Sequence, residues 1–184
     1  MKRIFIAVKI DPGEELLKMI SSFKTALKNE SIKWTEISNI HITLVFLGDT
    51  EDKRIKEIDT ILSGICSGFR SFDLILRGAG IFRSLRDPRI IWAGINSSKE
   101  LSELNKRITA ELRETGTKLE ERAFSPHLTL GRIKRLKDTQ ALSGLIGNYK
   151  DKEIQRLRVS EIILYESVLR PEGPVYKPLG KYSL

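Results

Sequence analysis

The same four-residue pattern, His-x-Thr-Leu, occurs twice in this chain, and each copy begins with one of its two histidines. The copies are His41-Ile42-Thr43-Leu44 and His127-Leu128-Thr129-Leu130, and they lie 86 residues apart (127 − 41). Both place a Thr two positions after the His, which makes a chance match a poor explanation. The repeat indicates an internal duplication, and the two halves should therefore share one architecture.

Shifting the chain by 86 residues aligns further predicted elements. Arg3-Ile4-Phe5-Ile6-Ala7 falls on Arg89-Ile90-Ile91-Trp92-Ala93, and both runs favour strands. The histidine-bearing strands are expected over 40–47 and 127–133, and closing strands over 72–77 and 158–165. Each half is therefore predicted to run strand–helix–strand–helix–strand.

The predicted helices begin at residues that commonly cap helices. Asp11 is the expected N-cap of the first helix, with Pro12 at its first position. In the second half, Ser97 and Glu100 fit a capping box. Residues 51–63 and 139–146 are expected to form the second helix of each half, and 170–174 a turn before a short extended end through Tyr176.

The halves are joined without a linker rich in Pro, Gly or Ser. We therefore expect residues 1–184 to form one α+β domain made of two similar lobes, approximately 1–86 and 87–184. The duplication also permits an exchange of strands between the lobes. A pseudo-two-fold arrangement would bring the two histidine strands together at the centre, on either side of a cleft.

The His-x-Thr spacing suits acid–base chemistry on a phosphate. Side chains two positions apart on a strand share a face, so His41 lies beside Thr43 and His127 beside Thr129. Two imidazoles can take a proton from an attacking oxygen and give one to a leaving oxygen. The Thr hydroxyls can donate to phosphate oxygens, and Arg132, two positions beyond Leu130 near the strand end, can supply a charged clamp.

The histidines have two other interpretations. A metal site is disfavoured by the residue types, because two His and two Thr lack the carboxylate or thiolate that usually completes one. Each His alone fits a hydrogen-bonded strand residue with no chemical role. That interpretation is weak for both copies, since the chain has no other His.

Composition indicates the kind of partner and the cellular compartment of the protein. A net charge of +8 and a pI near 9.6 favour a polyanionic partner such as nucleic acid. Because Cys66 is the single Cys, the chain cannot form an internal disulfide, and a reducing compartment is expected. Cys66 lies in an apolar stretch and is expected in the core. No apolar run is long enough to span a membrane and no signal-peptide core follows Met1, so a cytoplasmic protein without membrane contact is expected.

The motifs and their flanks resemble the RNA 2',3'-cyclic phosphodiesterases, also called 2'-5' RNA ligases, of the 2H phosphoesterase superfamily. The resemblance runs almost end to end, and the matching stretches are Arg3–Val8, His41–Gly48, Phe124–Arg132, Leu164–Ser167 and Pro174–Tyr176. It implies a bilobal fold in which two antiparallel β-sheets form a central cleft with helices on the outside.

The resemblance also implies an activity. Such enzymes open RNA 2',3'-cyclic phosphates to 2'-phosphates without a metal or other cofactor, and ligate 2'-5' ends reversibly without ATP. Carried over, His127 is the base and His41 the acid, while Thr43, Thr129 and Arg132 hold the phosphate. The expected partners are RNAs with cyclic phosphate ends, tRNA halves among them. The protein is expected to be a monomer.

Several surrounding residues are candidates for binding RNA. Strand aromatics can stack on bases, although they are more often core residues, and the four aromatic candidates are Phe5, Phe46, Phe124 and Tyr165. Two basic segments can guide the backbone. One is a predicted loop at 78–88 with Arg77, Arg83, Arg86 and Arg89 in or beside it, and the other comprises Arg132, Lys134, Arg135 and Lys137.

Two alternative functions stay open from the sequence. The same site fits a cyclic phosphodiesterase acting on small nucleotides such as ADP-ribose cyclic phosphate. A non-catalytic RNA-binding module would keep the fold without turnover, but it would not need an intact His and Thr in both motifs.

Overall fold

The computed structural model describes residues 1–121, 123–171 and 173–184, and its strands form one antiparallel sheet. The strands are β1 (Lys2–Lys9), β2 (Ser31–Trp34), β3 (His41–Thr50), β4 (Phe72–Ser84), β5 (Asp87–Ile95), β6 (His127–Arg135), β7 (Glu153–Val159), β8 (Glu161–Leu169) and β9 (Pro174–Ser183). The helices are α1 (Glu14–Ala26), α2 (Asp52–Ser67), α3 (Lys99–Glu114) and α4 (Thr139–Tyr149), with a short 3-10 helix at Ile37–Asn39. Glu172, inside the turn predicted at 170–174, lies outside the described residues.

The strand order is symmetric about the junction of the two histidine strands. It runs β7-β4-β5-β6-β3-β1-β8-β9, with β2 paired to β6. We call β3-β1-β8-β9 the His41 arm and β6-β5-β4-β7 the His127 arm. The two arms meet where Ile42 of β3 pairs with Leu128 of β6.

Each arm draws strands from both halves of the chain. In the His41 arm, β8 pairs with β1, and in the His127 arm, β4 lies between β5 and β7. The predicted α+β fold is confirmed, and the two antiparallel sheets that the resemblance implies are the two arms of one sheet, joined by the pairing of β3 with β6.

The helices cover one face of the sheet, where the main hydrophobic core lies. Buried residues of α1 and α3 join strand residues there, among them Phe23, Leu104, Ile42 and Leu128. A second, smaller cluster contains Phe5, Ala7, Ile163 and Tyr165 with Tyr176 packed on it. Since residues one position apart on a strand face opposite ways, this cluster lies on the face away from the main core.

Two predicted helix starts were wrong. The N-cap of α1 is Gly13 rather than Asp11, because Gln155 ties this turn to β7: the Gly13 N–H donates to Gln155 Oε1 (2.9 Å) and Gln155 Nε2 donates to the Asp11 carbonyl (3.0 Å). The N-cap of α3 is Ser98 rather than Ser97, and its Oγ accepts from the Leu101 N–H. The start of α1 is therefore associated with a tertiary contact to Gln155, and α3 begins one residue later than predicted.

Three predicted segments have different boundaries. The short extended end after the turn at 170–174 is the ten-residue strand β9, which begins at Pro174 and continues to Ser183. Residues 158–165 do not form one strand, because the chain leaves β7 at Val159 and enters β8 at Glu161. The Ser160 carbonyl between them accepts from the Leu184 N–H (2.9 Å). The basic segment at 78–88 is mostly a hairpin rather than a loop, since β4 continues to Ser84 and β5 begins at Asp87.

In the described part of the chain, none of the helices combines the length and apolar content needed to cross a bilayer.

Candidate active site

The junction of the arms brings the two histidines together. His41 is the first residue of β3 and His127 the first of β6, and the Ile42–Leu128 pair stands immediately after them. Both pairing side chains are fully buried in the core. The imidazoles of His41 and His127 therefore project from neighbouring strands on the face opposite the core.

A bulge in β3 interrupts the alternation just after Thr43. Thr43 pairs with Ala7 and Val45 with Ile6, so Leu44 has no partner in β1. Its carbonyl accepts instead from Asn105 Nδ2 of α3 (2.9 Å), and Asn105 is itself buried. Asn105 of α3 thereby gives a hydrogen bond to the Leu44 carbonyl, which has no partner in β1 because of the bulge.

A matching bulge in β6 determines the position of Arg132. Thr129 pairs with Trp92 and Gly131 with Ile91, which leaves Leu130 bulged, and the Thr35 N–H donates to the Leu130 carbonyl (2.9 Å). Strict alternation would turn Arg132 to the face of Leu130. The bulge moves it to the face of Thr129 and His127 instead, where its side chain is exposed.

Hydrogen bonds fix both imidazoles in the same tautomer. His41 Nδ1 lies 2.7 Å from the Asn39 carbonyl, and His127 Nδ1 lies 2.8 Å from the Ser125 carbonyl. Because a carbonyl only accepts, Nδ1 carries the proton in each ring and Nε2 is the hydrogen-bond acceptor of the neutral form. The Thr43 hydroxyl donates to His41 Nε2 (3.1 Å).

The surroundings favour neutral imidazoles. Burial lowers the pKa of His41 below its usual value, opposed in part by the Asn39 hydrogen bond and reinforced by the charges of His127 and Arg132. Burial likewise lowers the pKa of His127, again with a contribution from Arg132. The Arg132 guanidinium thus acts on both rings, as a residue at a shared anion site would.

Aromatic rings surround His41. Phe5 lies 5.0 Å from its ring centre and Tyr176 lies 5.2 Å away, edge-on at 89°. Tyr165 stacks on Phe5 at 5.3 Å. A pocket of about 190 Å³ opens beside His41 between the two tyrosines. Lys9 and Lys181 are among the residues that line it, and Lys9 also lies 3.4 Å from the Asp11 carboxylate.

His127 has an aromatic neighbour of its own. Phe82 lies 4.6 Å from its ring centre at 85°, and Trp92 lies 5.7 Å from Phe82. The sequence patterns did not point to Phe82 or Trp92 as site residues, and they indicated Tyr176 only as part of the chain's ending. Each stands far from a motif in sequence, and strand pairing is what brings it close.

The four aromatic candidates from the sequence have different surroundings. Phe5 contacts the His41 ring, and Tyr165 lines the same pocket as His41. Phe46 pairs with Phe5 and is 40% exposed, and the Arg3 guanidinium lies over its ring at 5.1 Å from the centre. Phe124 packs against the main core instead.

The two basic segments lie close together on the His127 arm. Ile90 of the hairpin strand β5 pairs with Arg132, which joins the hairpin to the basic end of β6. Within the hairpin, Arg83 and Arg89 both bond to Asp87, at 2.6 and 2.9 Å. Lys134 and Arg135 are exposed beyond Arg132.

The side chains here do not form an evident metal site. Over residues 1–121, 123–171 and 173–184, no group of three or more His, Cys, Asp and Glu is placed to hold a metal ion. The polar groups that the structure gathers at the junction are imidazoles, Thr hydroxyls and a guanidinium, which are donors and acceptors for an anion.

Comparison with known proteins gives a consistent family. Residues 12–169 match the 2'-5' RNA ligase superfamily. The RNA 2',3'-cyclic phosphodiesterase of Methanothermobacter thermautotrophicus is 33% identical, covering 99% of this chain and 98% of its own. That of Thermotoga maritima is 35% identical, covering 96% and 92%.

Solved structures show the same fold. The crystal structure of TT0787 of Thermus thermophilus superposes with a TM-score of 0.82 at 24% identity, covering 99% of this chain and 97% of that one. E. coli LigT complexed with 3'-AMP superposes with a TM-score of 0.73 at 21% identity, covering 100% and 98%.

Proposed function

We propose that this chain, which belongs to the 2'-5' RNA ligase superfamily, hydrolyses RNA 2',3'-cyclic phosphate ends to 2'-phosphates by metal-independent two-histidine catalysis. The observation that carries the proposal is the strand junction at Ile42 and Leu128. It places two imidazoles of the same tautomer next to each other, within the field of one guanidinium.

The proposed step is an in-line displacement at phosphorus. Water attacks from the side of His127, whose Nε2 takes the water proton as the P–O bond forms. The bond from phosphorus to O3' breaks, and protonated His41 gives its Nε2 proton to the departing O3'. His127 gains one proton and His41 loses one, and the products are a 2'-phosphate and a 3'-hydroxyl.

His41 must hold a proton for this step, although its burial lowers its pKa. The negative charge of the bound cyclic phosphate opposes that shift and favours the imidazolium. In the transition state, charge grows on the non-bridging oxygens. Thr43, Thr129 and Arg132 can donate to those oxygens from positions on the same face.

The relatives support an RNA substrate. Curated members of the family with about one third identity are named RNA 2',3'-cyclic phosphodiesterases. E. coli LigT, which shares the fold, is described in complex with 3'-AMP. For this chain we propose cytoplasmic RNA ends, tRNA halves among them, acted on by a monomer.

Ligation is part of the proposal because the same groups can run it. If the 5'-hydroxyl of a second RNA takes the place of water, His127 removes its proton and a 2'-5' linkage forms while O3' leaves. The cyclic phosphate supplies the energy of the reaction, so ATP is not needed.

The test compares wild type with His41→Ala and His127→Ala on a short RNA ending in a 2',3'-cyclic phosphate. Each variant should lose about 10²- to 10⁴-fold in kcat, the usual contribution of a positioned acid or base. Arg113→Ala, an exposed change in the last turn of α3, is the control and should keep the wild-type rate. Near-normal turnover by either folded His variant, checked by its Tm, would contradict the mechanism.

A further inference from the structure

An apolar patch lies on the cleft side of the His127 arm and is not part of either hydrophobic cluster. It consists of Phe82, Ile90 and Trp92, which we call the His127 patch. Phe82 pairs with Ile90 across β4 and β5, so both point to one face. The neighbouring Ile81 and Ile91 pack in the main core on the other face, while the three patch residues stay partly exposed.

The sequence leaves space for the Trp92 ring at this position. Trp92 pairs with Gly80, and a Cβ on Gly80 would stand 2.2 Å from Trp92 Cζ2. Any side chain at position 80 would therefore displace the indole. Trp92 Nε1 is buried and has no hydrogen-bond partner among the described residues, so the part of the side chain that faces the cleft is the ring surface.

The two arms differ at one position of this patch: Phe5 pairs with Tyr165 in the His41 arm as Ile90 pairs with Phe82 here, but the position of Trp92 is filled differently. Thr43 pairs with Ala7 in the His41 arm, and Thr129 pairs with Trp92 in the His127 arm. By strand pairing Ala7 and Trp92 are therefore structural counterparts, one position away from the alignment of Ala7 with Ala93 that the 86-residue shift predicts. The His41 arm accommodates a methyl group where the His127 arm carries an indole, so the symmetric architecture is built with either residue.

The proposed chemistry assigns an occupant to each side of the phosphate. The nucleoside that carries the cyclic phosphate has O3' next to His41, where Phe5, Tyr165 and Tyr176 lie. An attacking water next to His127 needs no aromatic surface. An attacking 5'-hydroxyl, however, brings its own nucleoside to the side where Phe82 and Trp92 stand.

We propose that the His127 patch binds the first nucleoside of the 5'-hydroxyl RNA in 2'-5' ligation, which makes it an acceptor subsite. This inference rests on the proposed function. The base stacks on Phe82 or Trp92, as bases stack on aromatic side chains in single-strand binding sites. The 5'-oxygen then reaches phosphorus as His127 takes its proton and the P–O3' bond breaks.

The binding test uses the two tryptophans of the chain as separate reporters. Trp34 packs against the main core, so Trp34→Phe leaves Trp92 as the single tryptophan, and Trp92→Phe leaves Trp34. The probe is a 5'-hydroxyl RNA trinucleotide with an ordinary 3'-hydroxyl end. It should quench the emission of wild type and of Trp34→Phe, and leave that of Trp92→Phe unchanged. Quenching of Trp92→Phe, or none in wild type, would overturn the inference; the wild-type comparison holds even if Trp34→Phe fails to fold.

A kinetic test follows the same subsite during ligation. In Phe82→Ala, the concentration of 5'-hydroxyl RNA that half-saturates ligation should rise about tenfold, the loss expected for one stacked base. An unchanged half-saturating concentration would overturn the inference. Arg113→Ala again serves as the control.

The two proposals fail in different ways. Hydrolysis of the cyclic phosphate by wild type, without quenching by the trinucleotide, overturns the acceptor subsite and leaves the hydrolase in place. Quenching without any hydrolysis or ligation overturns the proposed function, and the acceptor role with it.

Discussion

Ile42 of β3 pairs with Leu128 of β6, and each of these two residues directly follows a histidine of the candidate site. Their side chains are fully buried in the main core, so the junction of the arms is also a packed part of the interior. The separation of the imidazoles is therefore set by strand pairing and core packing, two features that change little with thermal motion.

The titration of the two histidines is the first expected result. Because the pKa of each ring is lowered by burial and by Arg132, each should be less than half protonated at pH 6.5 in the free protein. NMR of the imidazole C–H signals resolves both, since the chain has two His. Inorganic phosphate should move the midpoints upward, and Arg132→Gln should do so without ligand. A midpoint above 6.5 for either ring in the free wild type would contradict this electrostatic description.

Arg132 should contribute both charge and geometry to phosphate binding. Arg132→Ala should lower kcat/KM by about 10- to 100-fold, the range for loss of charge-assisted hydrogen bonds. Arg132→Lys should recover part of that loss, because the charge stays but the two-pronged donor is gone. Initial rates over a range of RNA concentrations give the answer. Equal kcat/KM for Arg132→Ala and wild type would remove Arg132 from the site.

The basic end of β6 should bind the RNA backbone beyond the reacting phosphate. Lys134→Ala should weaken binding of longer single-stranded RNAs and reduce the slope of log Kd against log salt concentration by about 0.7 for each phosphate that the variant no longer neutralises. Lys24→Ala, an exposed change in the last turn of α1, is the matched control. Titrations between low and moderate salt measure both slopes. If the Lys134 and Lys24 variants behave alike, RNA follows another path.

Asn105 should matter for stability through the β3 bulge. Its Nδ2 donates to the Leu44 carbonyl, and Asn105→Leu leaves that acceptor without this partner. The expected loss is about 1–3 kcal/mol in the free energy of unfolding. Asn148→Leu, at an exposed position of α4, should change it by no more than about 0.5 kcal/mol. Chemical denaturation measures both. A loss at Asn105 no larger than at Asn148 would show that the bulge does not depend on this bond.

The repeated motif is the reason the centre of the molecule could be predicted. Two identical His-x-Thr phrases in strand-forming contexts indicate a duplicated α+β fold with the histidine strands side by side, and β3 and β6 are paired as expected. Arg132 is a predicted clamp because it lies close to the motif in sequence. Its actual orientation depends on the Leu130 bulge, which strict alternation of strand residues does not reveal.

The remaining features depend on contacts between distant segments. Local capping rules favour Asp11, but Gln155 from β7 binds this turn and the helix begins later. Phe82 reaches His127 because the segment around it is a hairpin strand, whereas the sequence analysis predicts a loop at 78–88. Tyr176 reaches His41 through the pairing of β8 with β9, which no local pattern encodes.

The most direct measurement incubates the purified protein with EDTA and a short RNA that ends in a 2',3'-cyclic phosphate. The products are resolved by mass and by the position of the phosphate, with His127→Ala in parallel. We expect a 2'-phosphate, formed at the same rate with and without EDTA and absent with His127→Ala. A 3'-phosphate, or activity that EDTA abolishes and an added metal ion restores, would contradict the proposed two-histidine mechanism.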